Sequence, residues 1–148
     1  MPGSDGAGPL ELRFPARPEE LRGVRDALRE RLREWRLDEE SACDVVMAVD
    51  EACQNVIRHA YRGEPDGVIE LEVRCSGDEL QIAVRDFAPP VDPARIRPRP
   101  LDELRPGGLG THLIRSAMDH TELGKPPSGP GNLLRMVKKL ARRGAAGA

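Results

Sequence analysis

The sequence predicts an α+β fold, a two-layer α/β sandwich in which helices cover one face of a mixed, mainly antiparallel sheet. Some segments alternate apolar and polar residues, as half-buried strands do. Others repeat apolar residues every three or four positions, as helices with one buried face do. Their order is strand, helix, helix, hairpin, long loop, glycine turn, helix and two strands. One sheet with helices on one face buries the apolar sides of all these elements.

Length and composition fit a single globular domain, which we place at residues 9–141, before a short tail at 142–148. The chain has 148 residues and a net charge of -2, so a basic surface for nucleic acid is not expected. No run approaches about 18 apolar residues, and the N-terminus lacks a signal-peptide pattern, so we expect a cytoplasmic protein without a membrane span. The cysteines form no CxxC pair and are expected to be free and largely buried: Cys43, Cys53 and Cys75.

The N-terminal part of this domain predicts a strand and an amphipathic helix. Residues 1–8 are rich in glycine, and we expect them to be disordered. The first strand ends at Pro15, and its apolar residues alternate with charged ones: Leu10, Leu12 and Phe14. Pro18–Arg36 has one apolar stripe among Arg and Glu, which predicts a surface helix packed along that stripe: Leu21, Val24, Leu28, Leu32 and Trp35.

A second helix, predicted for Asp38–Arg62 with Asp38 as its N-cap, carries the residues around which the rest is organised. Its predicted buried face consists of Ala42, Val45, Val46, Val49, Cys53, Val56, Ile57 and Ala60. Glu51 and Asn55 lie one turn apart on a flank of that face. A carboxylate and an amide placed in this way can hold a hydrated Mg²⁺ and orient a hydroxyl or water. From this segment alone, an equally good interpretation is that both residues mark the solvent edge of the helix.

A hairpin and a long loop follow the second helix. Val68–Cys75 and Leu80–Val84 are predicted as antiparallel strands joined by a turn at Ser76-Gly77-Asp78. Phe87–Pro106 is rich in proline and arginine, which argues against regular structure. Its length indicates a mobile functional loop.

The C-terminal part contains a glycine turn, a helix and two strands. Gly107-Gly108-Leu109-Gly110 would expose backbone N–H groups at the start of a helix, a natural seat for phosphate, although a flexible linker into a helix is an equally common role for an isolated GGxG. Thr121–Lys125 is predicted as a short strand. Leu133–Leu140 is predicted as the closing strand, because the Gly- and Pro-rich turn before it favours strand over helix.

Three motifs together resemble one superfamily. DEACQNVIRHAY, at residues 50–61, resembles the N-box of the GHKL (Bergerat-fold) ATP-binding superfamily. VRDFAPPVDP falls where the first glycine box of that superfamily would lie, and GGLGTHLI resembles the second. Over residues 10–141 the chain is most similar to the anti-sigma factor serine kinases of bacterial partner-switching systems. That resemblance implies a histidine-kinase-like ATPase fold.

The resemblance also implies ATP and Mg²⁺ as ligands and gives roles to individual residues. Glu51 would be the general base on an incoming serine hydroxyl, and Asn55 would hold the Mg²⁺. Asp86 would accept from the adenine amino group, with Asn132 near a polar position below the adenine. Arg105 would bring positive charge to the transferred phosphoryl group. The second glycine box would surround the phosphates with its backbone: Gly107, Gly108, Leu109, Gly110 and Thr111.

The first glycine box departs from the D-x-G-x-G pattern of the family, since it reads Asp86-Phe87-Ala88-Pro89-Pro90. Ala88 keeps the small side chain that packing against a purine needs, but it loses easy access to φ > 0. Pro90 stiffens the entry to the loop. We expect ATP binding to be retained and keep Ala88 in the site, while the change argues against very tight affinity. His59 and His112 have no third ligand at a suitable spacing, so structural roles are expected for them.

The resemblance therefore implies a serine/threonine protein kinase that acts as an anti-sigma factor. Such a protein phosphorylates a serine of a small anti-sigma-factor antagonist and also binds a sigma factor. The alternative is a catalytically weak ATP-binding module that sequesters a protein partner without phosphotransfer. The retained Glu51 favours the kinase, and the altered glycine box leaves room for the module. A domain without a ligand requires that the motif matches be accidental. Family members often form homodimers, and neither nucleic acid nor membrane is expected as a partner.

Overall fold

The computed structural model describes residues 8–89 and 109–140, and of residues 109–112 it describes the backbone alone. The strands are β1 Leu10–Pro15, β2 Val68–Ser76, β3 Glu79–Asp86, β4 His120–Gly124 and β5 Asn132–Lys139. The α-helices are α1 Leu21–Glu34, α2 Glu39–Asn55 and α3 Leu109–Ala117. The strands form a five-stranded sheet in the order β1-β2-β3-β5-β4. Within the described ranges, no helix is both long enough and apolar enough to cross a membrane.

The predicted fold class is confirmed, with one correction to the sheet. We expected a mixed sheet, but every pairing between described strands is antiparallel. A tight turn joins β2 to β3 at Gly77, where φ is +64°, and the predicted hairpin is confirmed. A second turn joins β4 to β5, so these strands also run in opposite directions. Both C-terminal strands lie within one residue of their predicted bounds.

The first predicted helix has a different start from the one expected. Pro18–Glu20 forms a 3₁₀ turn, and the α-helix begins at Leu21. Proline has no N–H and a fixed φ, both of which suit this entry. Four residues of the predicted stripe are buried, whereas Trp35 is half-buried at the helix end and packs beside the core. The Arg31 guanidinium lies 5.8 Å from the Trp35 ring centroid.

The second helix begins as predicted and ends earlier. The Asp38 side chain accepts from the Ser41 N–H at 3.0 Å, which confirms the N-cap. The α-helix ends at Asn55 and continues as a π-helical turn, Val56–Ala60. Residues in left-handed conformation then stop the helix, with φ of 53° at Arg62 and 82° at Gly63. Of the predicted buried face, Ala42, Val56 and Ala60 are only half-buried, because they lie at its edges.

The core lies between the helices and one face of the sheet. Its largest fully buried side chains come from both layers: Leu28, Leu32, Ile69, Leu71, Leu80 and Met136. Each such side chain contributes roughly 1.5–3 kcal/mol relative to an exposed one. All three cysteines are free, as predicted, but Cys43 is exposed and Cys75 is half-buried, so only Cys53 fits the expected burial. Burial of Cys53 raises the pKa of its thiol to about 12.

The predicted mobile loop, Phe87–Pro106, lies outside the described residues except for its first three. The domain limits, 9–141 with a disordered 1–8 and a tail at 142–148, stay predictions.

Candidate functional site

The end of β3 and the start of β5 place two buried polar side chains opposite each other. Asp86 and Asn132 are cross-strand neighbours, and they are 4% and 6% exposed. The Asn132 Nδ2 donates to the Asp86 Oδ1 at 2.9 Å. The Ala88 N–H donates to the same oxygen at 3.0 Å. These two bonds fix the orientation of a carboxylate at the end of the sheet.

The electrostatics of Asp86 follow from this burial. Loss of solvation raises the pKa of its carboxyl above the ordinary value of 3.8. Hydrogen bonds from Asn132 and Ala88 and the charge of Arg85 lower that pKa, but they offset the effect of burial only in part. A buried carboxylate in this state is a strong acceptor for a ligand N–H, because such a bond replaces lost solvation.

The loop between β4 and β5 is held tightly against the backbone of Asp86. Gly131 has a φ of +105°, and a Cβ built there would overlap the Asp86 carbonyl group. Glycine alone avoids both problems. The Arg85 Nη2 donates to the backbone oxygens of Ser128 and Pro130, each at 3.0 Å. Sequence analysis treated this loop only as a turn and missed these roles, although the run Gly-Pro-Gly-Asn was a visible signal.

Arg85 also contacts the residue that follows Asp86. Its guanidinium lies 4.6 Å from the Phe87 ring centroid, and that of Arg13 lies 5.6 Å from it. Cations over an aromatic face are attracted by its quadrupole. The strand end is therefore fixed from the open face of the sheet as well as from within.

A second polar group lies on α2 and on the π-helical turn that follows it. The Arg58 Nη2 lies 3.4 Å from the Glu51 Oε2 and 3.3 Å from the Asn55 Oδ1. The carboxylate and the amide therefore converge on one cation. Contacts of this kind also form at the solvent edge of a helix, and here they establish that the carboxylate and the amide lie on the same side of α2. The Glu51 side chain is 19% exposed, so an incoming group can reach it.

These residues fit one kind of metal ion better than others. Glu51 and Asn55 offer hard oxygen ligands, and Mg²⁺ is commonly held by one or two such groups together with waters and phosphate oxygens. No group of three or more His, Cys, Asp or Glu that could hold a metal exists within 8–89 and 109–140, apart from the side chains of 109–112.

A chain of hydrogen bonds connects this group to α1. The Arg58 Nη1 donates to the Gln54 Oε1 at 3.3 Å, and the Gln54 Nε2 donates to the Asp50 Oδ2 at 2.7 Å. The other Asp50 oxygen accepts from the Arg25 Nη1 at 2.8 Å. Both oxygens of Asp50 are therefore used for structure. Glu51 differs from this neighbouring acid because its contact with Arg58 is longer, at 3.4 Å, and exposed to solvent.

Replacement of the expected glycine at Ala88 produces no backbone strain. Ala88 is 3% exposed, and its φ is not positive. The lost access to φ > 0 therefore causes no left-handed strain at this position. The small side chain fits a closely packed position.

The predicted site residues form two clusters. Asp86, Ala88 and Asn132 come together at the strand end, and Glu51 and Asn55 come together on α2. α3 packs on α2, and its first turn contains three residues predicted to bind phosphate, of which only the backbone is described: Leu109, Gly110 and Thr111. Three further predicted residues lie outside the described ranges: Arg105, Gly107 and Gly108.

Comparison with known proteins identifies the family of this chain. The family model described as histidine kinase-like ATPase domain matches residues 14–138. The serine-protein kinase RsbW of Listeria innocua is 33% identical over 122 residues, covering 77% of this chain and 78% of the relative. The RsbW of Bacillus pumilus is 29% identical over 143 residues, covering 90% and 86%.

Two solved structures show the same fold. A structure of the RsbU and RsbW domains of a Mycobacterium tuberculosis protein matches with a TM-score of 0.64 and 19% identity, covering 89% of this chain and 32% of that one. A chain of the SiaB–SiaC complex from Pseudomonas aeruginosa matches with a TM-score of 0.60 and 16% identity, covering 87% and 88%.

Proposed function

This chain belongs to the histidine kinase-like ATPase domain family and, within it, to the RsbW-type serine-protein kinases, and from that premise we propose that it is an ATP-dependent protein serine kinase that acts as an anti-sigma factor. It binds either a sigma factor or a small anti-sigma-factor antagonist, and it phosphorylates a serine of the antagonist. It works in the cytoplasm. The observation that supports the proposal is that Glu51 and Asn55 lie on the same side of α2, both within 3.4 Å of the Arg58 guanidinium, on a helix packed beside α3.

The strand end binds the base of the nucleotide. Asp86 accepts from the exocyclic amino group of adenine, and Asn132 and the Ala88 N–H hold its carboxylate in place. Guanine presents a carbonyl oxygen at the equivalent position, and that oxygen is an acceptor facing another acceptor. The site therefore selects adenine.

The oxygens on α2 bind the metal and the incoming hydroxyl. Asn55 would hold Mg²⁺ through its amide oxygen, and the bound ion would supply positive charge to neutralise the phosphates. Glu51 accepts the proton of the serine hydroxyl and orients that hydroxyl toward the transferred phosphoryl group. Arg58 lies against both side chains and adds positive charge beside them. Gly107, Gly108 and the first turn of α3 surround the phosphates, and Arg105 brings a further charge.

The alternative is a module that binds ATP and a protein partner without transfer. Its sequence argument was the altered glycine box, and the unstrained backbone at Ala88 weakens that argument. The retained carboxylate of Glu51, half-buried beside Asn55, supports the kinase.

The test is transfer of labelled phosphate from ATP to antagonist proteins encoded beside the gene, with ATP affinity measured in parallel. Glu51→Gln keeps the size of the side chain but removes the base, so transfer should fall roughly 100-fold while ATP affinity holds. Phosphoryl transfer depends more on positioning than on early removal of the hydroxyl proton. The expected fall in transfer rate is therefore at the low end of the range for loss of a general base. Glu64→Gln, at an exposed position beyond the helix, is the matched control.

Two outcomes would contradict parts of this proposal. A parent protein that binds ATP and a sigma factor, yet phosphorylates no antagonist, is the switchable binding module. A Glu51→Gln variant that transfers phosphate at the parental rate remains a kinase, but Glu51 is then not its base.

A further inference from the structure

The hydroxyl of Tyr61 joins three segments of the chain. It accepts a hydrogen bond from the Phe87 N–H at 2.7 Å and donates one to the Val68 backbone oxygen at 2.7 Å. Tyr61 directly follows the π-helical turn that continues α2, and Val68 begins β2. Phe87 directly follows Asp86 at the end of β3. One phenol thus ties the end of the Glu51–Asn55 helix to the residue after Asp86.

The packing around the Tyr61 ring leaves little freedom for this contact. A Cβ built at Gly67 would lie 2.7 Å from three atoms of the ring, so the glycine backbone is in close contact with it. The Gly67 carbonyl accepts from the Ala16 N–H at 2.8 Å, which fixes the backbone on the other side. The ring is held between a fixed turn and the strand end.

The Phe87 N–H has a strong reason to keep its partner. It is part-buried, and a buried backbone donor that loses its acceptor pays the full cost of desolvation. The next N–H along the chain, that of Ala88, donates to the Asp86 carboxylate. Successive amides therefore anchor the turn to Tyr61 and then hold the carboxylate, so a shift at Phe87 would move the acceptor in Asp86.

We infer that Tyr61 is a positioning residue for the nucleotide base, which acts through Phe87 on Asp86 and sets adenine specificity. This inference rests on the proposed function, because it assumes that Asp86 receives adenine. It adds a structural link between α2, which carries the proposed Mg²⁺ ligand Asn55, and the end of β3, which carries Asp86.

The experiment uses the full chain and two variants that disturb the contact between the Tyr61 hydroxyl and the Phe87 N–H in different ways. Tyr61→Phe removes the hydroxyl and keeps the ring. Gly67→Ala keeps the hydroxyl and pushes the ring away. Gly23→Ala is the matched control, because a Cβ at that position on α1 meets nothing within 4 Å. Calorimetry gives the affinity of each protein for ATP, GTP and inorganic tripolyphosphate in the presence of Mg²⁺, and hydrogen exchange without nucleotide reports the Phe87 amide.

Both Tyr61→Phe and Gly67→Ala should bind ATP roughly tenfold more weakly, because a displaced Asp86 carboxylate would lose most of its charge-assisted hydrogen bond to the base. The ATP-to-GTP preference should fall by a similar factor, and tripolyphosphate affinity should stay as in the parent. The Phe87 amide should lose protection in both variants. A tyrosine with a merely structural role would lower the unfolding midpoint and leave the ATP-to-GTP preference of the folded protein unchanged.

Four results separate failure of this inference from failure of the proposed function. An unchanged ATP-to-GTP preference in folded Tyr61→Phe overturns the positioning role while the proposed function stands. Equal loss of ATP, GTP and tripolyphosphate affinity also overturns it, because the effect is then not on the base. Undiminished protection of Phe87 in Tyr61→Phe removes the physical link. A parent that binds no nucleotide overturns both claims.

Discussion

Asn132 donates a hydrogen bond to Asp86 across the β3–β5 pair at 2.9 Å, and both side chains are almost completely buried. The Asn132 amide donates a hydrogen bond that solvent cannot supply to this buried carboxylate. Burial nevertheless raises the pKa of the Asp86 carboxyl. Stability and function are therefore opposed at Asp86. The charged form costs folding free energy, and the same charged form is the acceptor that the proposed ligand needs.

Asp86→Asn should weaken ATP binding and abolish the preference for ATP over GTP. The loss of one charge-assisted hydrogen bond corresponds to about 1.5–3 kcal/mol. Calorimetry with both nucleotides measures it, with Asp78→Asn in the exposed β2–β3 turn as the control. Unchanged ATP affinity would mean that the base does not bind at this strand end.

The same Asp86→Asn change should alter the pH dependence of stability. The pKa of Asp86 is higher in the folded protein than its ordinary value of 3.8, so the folded state binds the proton more tightly than the unfolded state. The contribution of Asp86 to stability is therefore greatest below 3.8 and falls as pH rises through the raised pKa. As pH rises from about 4 to about 8, the urea midpoint of the variant should increase relative to that of the parent. A pH-independent difference would contradict the raised pKa.

Asn55→Ala should remove the dependence of ATP binding on Mg²⁺. The amide oxygen is the metal ligand in the proposed site, and alanine offers no replacement. Titration with ATP in the presence and absence of Mg²⁺ gives the result, and Gln81→Ala on the open face of the sheet is the control amide. The fold should persist, because Asn55 flanks the core and is only half-buried. A variant that keeps the Mg²⁺ effect would exclude Asn55 as the ligand.

Gly131→Ala should destabilise the protein and disrupt the strand end. The position combines a φ of +105° with overlap between a Cβ and the Asp86 carbonyl group. Left-handed strain of this kind costs on the order of 1–3 kcal/mol, and the steric overlap adds to it. Urea unfolding measures the loss, and Gly124→Ala in β4 is the control because its Cβ meets nothing within 4 Å. Parental stability in Gly131→Ala would show that the loop has room to move away from Asp86.

The two cysteines of α2 should differ sharply in reactivity. Cys43 is exposed, whereas burial raises the pKa of the Cys53 thiol to about 12 and keeps it protonated. An alkylating reagent at neutral pH should modify Cys43 in the native protein, and Cys53 only after denaturation. Peptide mapping by mass spectrometry identifies the modified residue. Early modification of Cys53 would contradict its burial.

The sequence by itself determined the elements of the fold and the identity of the acid and amide on α2. Alternation, turn residues and capping residues are local properties, so they predicted the hairpin, the closing strand and the N-cap at Asp38. The motif around Glu51 and Asn55 is also local, because one helical turn brings the two residues together. Local pattern did not reveal the π-helical turn after Asn55, since it hardly changes which residues face the core.

Only the tertiary structure decided which residues hold Asp86. Asn132 is 46 positions away, and its contact depends on the register between two strands that are not consecutive. The need for glycine at Gly131 and the bridge from Tyr61 to Phe87 also arise between distant segments. Such contacts depend on how strands pair and helices pack, and a one-residue change in the register of β5 would turn the Asn132 side chain to the other face of the sheet.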